Sequence, residues 1–109
     1  MPLTQREARP AAAPLALLRG RVRWTERDEG DLRPGPEGAA ALVAAAGPGV
    51  GTVSWLRQVH GRGVVVVDGS GPVQGAEGDA LVTAQPGAAL AVLTADCGPV
   101  ALASPEGVV

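Results

Sequence analysis

The chain contains no Phe, Tyr, Ile, Asn or Lys, and it holds one histidine, His60, and one cysteine, Cys97. The five missing types are mostly encoded by A/T-rich codons. A G/C-rich coding sequence therefore accounts for the bias toward Ala, Val, Gly and Arg without any appeal to function. A single cysteine excludes an intramolecular disulfide and makes a reducing, cytoplasmic setting the default expectation. All nine cations are Arg, set against eleven acids for a formal net charge of −2. Without a basic excess, nucleic acid is not expected as the main partner. The apolar stretch Ala11–Leu18 is short and broken by Pro14, so neither a secretory signal nor a membrane span is expected. There is no internal repeat, no P-loop, no C-x-x-C and no G-x-G-x-x-G leading into a helix.

What is present fits one α/β domain. At 109 residues and 46% hydrophobic content, the chain has room for a single core. Residues 1–14 read as a flexible lead-in, and residues 15–109 as the domain. Leu15–Leu18 and Arg21–Glu26 read as short strands about Gly20, the second with Val22 and Trp24 alternating against Arg and Thr. Arg27–Pro36 is a turn-rich connection. Glu37–Ala46 reads as a helix of good helix formers stopped by Gly47-Pro48. Thr52–Val59 alternates as a strand, with Val53, Trp55, Arg57 and Val59 on one face. The four valines Val64–Val67 suit a strand covered on both faces. Asp68–Gly78 is glycine-rich and reads as a long loop. Ala80–Thr83 and Ala88–Ala95 are expected to pair as a hairpin, because Gln85-Pro86-Gly87-Ala88 spells a type II turn. Val100–Ala103 is a further strand and Ser104–Gly107 a further turn. Val108-Val109 opens a strand with nothing evident to pair with, which points to a fragment.

Chemistry concentrates where two apolar strands meet a glycine, in Trp55-Leu56-Arg57-Gln58-Val59-His60-Gly61 and in Leu93-Thr94-Ala95-Asp96-Cys97-Gly98-Pro99. His60 and Cys97 form the only possible Cys/His pair. Asp96 ends an apolar strand, where a buried carboxylate requires a partner. The separation between His60 and Cys97 is not a local ligand spacing, so the fold would have to assemble any metal site. Two ligands are too few for catalytic zinc. The third is Asp79, Asp96 or Glu77, or it lies outside the chain. In the competing chemistry His60 activates a Cys97 thiolate as a nucleophile. Arg27, following the early strand, is a candidate anion contact, and Asp79 a candidate turn cap.

The wording of these motifs resembles the laccase-domain (YfiH-like) proteins, long filed as polyphenol oxidases and now regarded as multi-substrate purine nucleoside phosphorylases. The similarity rests on the Trp55–Gly61 motif, Asp79-Ala80-Leu81-Val82-Thr83, Pro86-Gly87 and Leu90–Cys97. It is weaker at Arg23-Trp24-Thr25-Glu26-Arg27, where Trp24 replaces a Phe of the family. The resemblance implies a mixed-sheet, sandwich-like α/β domain of about twice this length, incomplete here at its C-terminus. It implies phosphorolysis of adenosine, inosine, guanosine and methylthioadenosine, with adenosine deamination besides. Zn²⁺ would be held by His60, Cys97 and a later histidine beyond Val109, with Arg27 against phosphate and Asp79 and Asp96 in support. On this basis the 109-residue chain alone is expected to be inactive. Copper ranks below zinc, since one Cys and one His do not resemble a blue-copper site. A metal-independent Cys/His hydrolase and a non-catalytic purine- or partner-binding domain are the alternatives.

Overall fold

A computed structural model describes residues 15–17, 20–23, 35, 37–94 and 98–109 of the chain. Strands β1 (Leu15–Leu17) and β2 (Gly20–Val22) pair antiparallel, with Leu15 opposite Val22. The remainder of the expected second strand, including Trp24, lies outside the described residues. Helix α1 covers Ala39–Ala46. It begins after Glu37, which sits with Gly38 in the turn before it, and Leu42 N–H closes the first helical bond to Gly38 O at 2.9 Å. It ends as expected at Gly47, whose φ of +103° is open to glycine and whose N–H returns to Ala44 O at 3.2 Å.

Three strands make an all-parallel sheet in the order β5 (Gln74–Glu77), β3 (Thr52–Arg57), β7 (Ala88–Leu90). Four make a mixed sheet in the order β4 (Val64–Val67), β6 (Ala80–Thr83), β9 (Gly107–Val108), β8 (Ala103–Ser104). In it β4 and β6 run parallel, while β9 runs antiparallel to both β6 and β8. The fold is of the expected α/β class with a mixed sheet. The core consists of Val53 and Trp55 from β3, Val67 from β4 and Leu81 from β6, with Ser54 and Thr83 buried among them.

The buried polar groups are each bonded, as burial demands. Ser54 Oγ accepts Val73 N–H at 3.0 Å, and Thr83 Oγ donates to Val67 O at 2.8 Å while accepting Gln85 N–H at 3.1 Å. Ser54 breaks the alternation expected along Thr52–Val59: three consecutive residues, Val53, Ser54 and Trp55, are buried. The reason is position, because β3 lies between two strands and the segment at Val73 crosses the Ser54 side. The strand also ends at Arg57, before Val59.

Five expectations are corrected. The valine run is not covered on both faces: Val64 and Val66 are 61% and 62% exposed, and only Val67 is buried. No layer of the described residues covers the face of β4 that carries Val64 and Val66. The glycine-rich stretch after Asp68 is not loop throughout, since its second half forms β5. That strand is exposed at every residue and is held by backbone pairing with β3, across a register shift between Trp55 and Leu56. β6 and β7 do not form a hairpin. The type II turn is present, with Gly87 at φ +79° and Ala88 N–H to Gln85 O at 3.3 Å, but it passes the chain from one sheet to the other. Val108 is paired, opposite Thr83 on one side and Ala103 on the other. The approach of β9 to β6 requires Gly107, since a Cβ there would collide with Thr83 O. The strand expected at Val100–Ala103 is confined to Ala103–Ser104, with Leu102 and Val109 exchanging two backbone bonds of 2.9 Å beyond it.

The contrast between the two faces of this core is measurable. Leu81→Ala is expected to lower unfolding free energy by about 2–5 kcal/mol, and Val66→Ala by less than about 1 kcal/mol. Urea unfolding followed by tryptophan fluorescence decides it: equal losses at the two positions would show that Val66 is covered.

Candidate functional site

The parallel sheet fixes where its strands deliver the chain. Parallel neighbours exit on the same edge, and in α/β sheets that carboxyl edge is where ligands bind. β3 leads to His60, β5 leads through Gly78 to Asp79, and β7 leads toward Cys97. Ser54 and Leu90 are in register at the end of the ladder. Two bonds carry the alignment past the ladder. Ala91 N–H donates to Ser54 O at 2.8 Å, and the Gln58 side-chain Nε2 donates to Leu93 O at 3.1 Å. Asp96, Cys97 and Arg27 themselves lie outside the described residues.

The histidine segment is held by residues 78–80. Gly78 N–H donates to Arg57 O at 3.2 Å, and the N–H groups of Asp79 and Ala80 both donate to Gly63 O, at 3.0 and 3.2 Å. Between these anchors the Asp79 carboxylate accepts three successive backbone donors. Oδ1 takes Val59 N–H at 3.0 Å and His60 N–H at 2.9 Å, and Oδ2 takes Gly61 N–H at 2.8 Å. His60 has φ +58°, the only left-handed non-glycine among the described residues. Such a conformation costs about 1–2 kcal/mol for an L-residue and persists where surroundings impose it, commonly at functional sites. The His60 side chain is exposed.

The expected turn cap is thus present, but the turn it caps is not its own. Asp79 closes a turn contributed by β3, the better part of two strands earlier in the sequence. Glu77, a sequence candidate for a third ligand, is instead committed to an exposed ion pair with Arg57, its register partner on β3. Among the described residues no three of His, Cys, Asp and Glu are grouped closely enough to hold a metal ion. Sequence reasoning missed Gln58, whose amide links the two strand exits. The only signal was its place, two residues before the candidate histidine at the end of a strand.

Beneath these exits lies an open cleft of about 240 Å³ lined by Trp55, Leu56, Gln58, Ala91 and Leu93. Its lining is mostly apolar, with the Gln58 amide among its polar groups. The Asp79 carboxyl lies below its ordinary value of 3.8; the Gly61 N–H is the main cause, desolvation opposes it, and the Val59 and His60 N–H groups and the charge of His60 add to it. Asp68 is also lowered, by the Ser70 hydroxyl and N–H.

The exposed His60, held in its turn by Asp79, thus lies at the carboxyl edge of the parallel sheet. The chain belongs to the family described as multi-copper polyphenol oxidoreductase laccase, which matches residues 36–109. It is 50% identical over 76 residues to a purine nucleoside phosphorylase of Deinococcus radiodurans, covering 70% of this chain and 29% of the relative. It is 52% identical over 77 residues to one of Streptomyces coelicolor (66% of the chain, 31% of the relative). To one of Streptomyces griseus it is 59% identical over 58 residues (49% and 22%). The chain thus spans less than a third of the length of these relatives. No solved structure matches it.

A carboxyl held below its unfolded value contributes order that is fully present above that value, about 3.9, and is lost as pH falls through the lower folded value. Amide exchange of Val59, His60 and Gly61, corrected for its intrinsic pH dependence, should therefore lose protection on acidification below about pH 4. Asp79→Asn should lack that acid transition. Unchanged protection down to pH 2 in the unsubstituted chain would rule this out.

Proposed function

We propose that the complete protein is a purine nucleoside phosphorylase, with residues 15–109 forming the N-terminal part of its domain. The support is twofold: the names carried by its relatives, and the placement of His60 beside the exit that leads to Cys97. The names of the relatives carry the proposal; the second observation is consistent with it, in that the Gln58–Leu93 bond ties the His60 segment to the strand exit that precedes Cys97 in sequence. An imidazole and a thiolate from adjacent strand exits form a donor set that suits Zn²⁺, so His60 and Cys97 are the residues that would hold it. The third ligand is proposed to come from beyond Val109. Zn²⁺ bound there would supply Lewis acidity and a bound water ionising near neutral pH.

The chain's own residues set up the rest. The apolar walls of the cleft at Trp55, Leu56 and Leu93 would take the flat faces of a purine, and the Gln58 amide its polar edge. Arg27 is proposed to bind phosphate. In phosphorolysis a phosphate oxygen bonds to the ribose anomeric carbon as the bond to the base nitrogen breaks. The electron pair leaves with the base, which is then protonated, giving free purine and ribose 1-phosphate. Deamination, the second proposed activity, adds water at the amino-bearing purine carbon and releases ammonia.

The test is to incubate the product of the complete reading frame with adenosine and phosphate and to separate the products. Adenine with ribose 1-phosphate is expected, and inosine if deamination accompanies it. Replacing His60 or Cys97 by Ala should lower either rate by more than about 100-fold. Activity that survives a strong chelator but not thiol alkylation would identify metal-independent Cys/His chemistry instead, and purine binding without turnover a non-catalytic domain.

A further inference from the structure

From the hydrogen bonds about the histidine turn, we infer that Asp79 is a positioning residue for His60. Its carboxylate sets the direction of the imidazole through the backbone without touching the imidazole itself. A carboxylate has two oxygens and about four lone-pair sites, and three of these are occupied by the N–H groups of Val59, His60 and Gly61 at 2.8–3.0 Å. Three successive donors can converge on one anion only when the backbone curls into a concave nest. Here that curl is the left-handed φ of +58° at His60. The Cα–Cβ direction of a residue follows from its φ and ψ, so whatever holds φ positive also aims the side chain. A Cβ at Gly61 would meet Asp79 Oδ2 only at ordinary contact distance, 3.4 Å, so the nest depends on the backbone rather than on a missing side chain at 61.

The carboxylate is itself immobilised. Asp79 N–H is bonded to Gly63 O, and β6 begins at the next residue, so the anchor belongs to the mixed sheet while the turn belongs to the parallel one. Asp79 therefore transmits the relative placement of two sheets to one imidazole. An Asn at 79 keeps the size but offers one acceptor oxygen and turns its amide toward a backbone donor, so part of the nest opens.

This inference rests on the metal-binding role proposed for His60, and its test separates the two. The complete protein, its Asp79→Asn and Asp79→Glu variants and Asp68→Asn as a matched loss of charge are titrated with Co²⁺. The readouts are affinity and the thiolate-to-metal absorption band. Asp79→Asn is expected to weaken Co²⁺ binding about 10-fold or more and to alter the band, with Asp79→Glu recovering part of both and Asp68→Asn neither. Unchanged affinity and band in Asp79→Asn, or an equal loss in Asp68→Asn, would overturn it. A second readout needs no variant. In the metal-free unsubstituted protein the His60 amide should exchange slowly, with a coupling constant diagnostic of positive φ. Random-coil exchange there overturns the inference even if Asp79→Asn fails to fold. An unsubstituted protein that takes up no Co²⁺ but shows the slow, left-handed His60 amide sinks the metal role alone and leaves the positioning intact.

Discussion

Parallel pairing on both sides of β3 is the constraint from which the site follows. Because β5 and β7 each run in the same direction as β3, the three exits share one edge of the sheet. An antiparallel neighbour on either side would have sent one of those exits to the far end. Residues distant in sequence thereby reach one place, and the side chains of Gln58 and Asp79 complete what the backbone ladder begins. Gln58 acts across the sheet, from the β3 exit to the β7 exit. Asp79 acts between sheets, from the start of β6 back to the end of β3.

The energetics of this edge differ from those of the core. Val53, Trp55, Val67 and Leu81 are removed from water and supply stability through apolar burial, about 25 cal/mol per Å². The histidine turn has no such burial; Val59, His60 and Gly61 are exposed. Its order comes from charge-assisted hydrogen bonds, which are directional and short. The Arg57–Glu77 pair nearby contributes little by comparison, since both side chains are more than half exposed. A packed core fixes the strands, and a polar clamp fixes His60.

How far the sequence discloses this depends on whether side chains or backbone carry the information. The helix was legible because Ala39–Ala46 and Gly47-Pro48 encode it locally. The turn at Gln85–Ala88 was legible for the same reason. The partners of β6 and β7 were not, because a type II turn fixes chain reversal over four residues and says nothing about which sheet receives the next strand. β5 was hidden because Gln74-Gly75-Ala76-Glu77 has no apolar pattern and pairs through backbone groups alone. The valine run misled because hydrophobicity signals burial only where a neighbouring layer covers the face, and the face carrying Val64 and Val66 is open to solvent. At the site, His60 and Asp79 were both visible as candidates from their motifs. Their connection was not, since the bond is from carboxylate to main chain and main chain has no sequence signature.

The order of residues along the chain gives the Asp79 clamp a temporal side. Each pairing of β3 is long-range: Trp55 meets Gln74, and Thr52 meets Ala88. During synthesis the three amides of the histidine turn leave the ribosome before the carboxylate that will gather them. At about 5–20 residues per second, the 19 residues from His60 to Asp79 take roughly one to four seconds to emerge. For that interval His60 has no reason to be left-handed and is free to sample ordinary backbone conformations. The architecture itself therefore delays the directed His60 turn until the second sheet has begun to form.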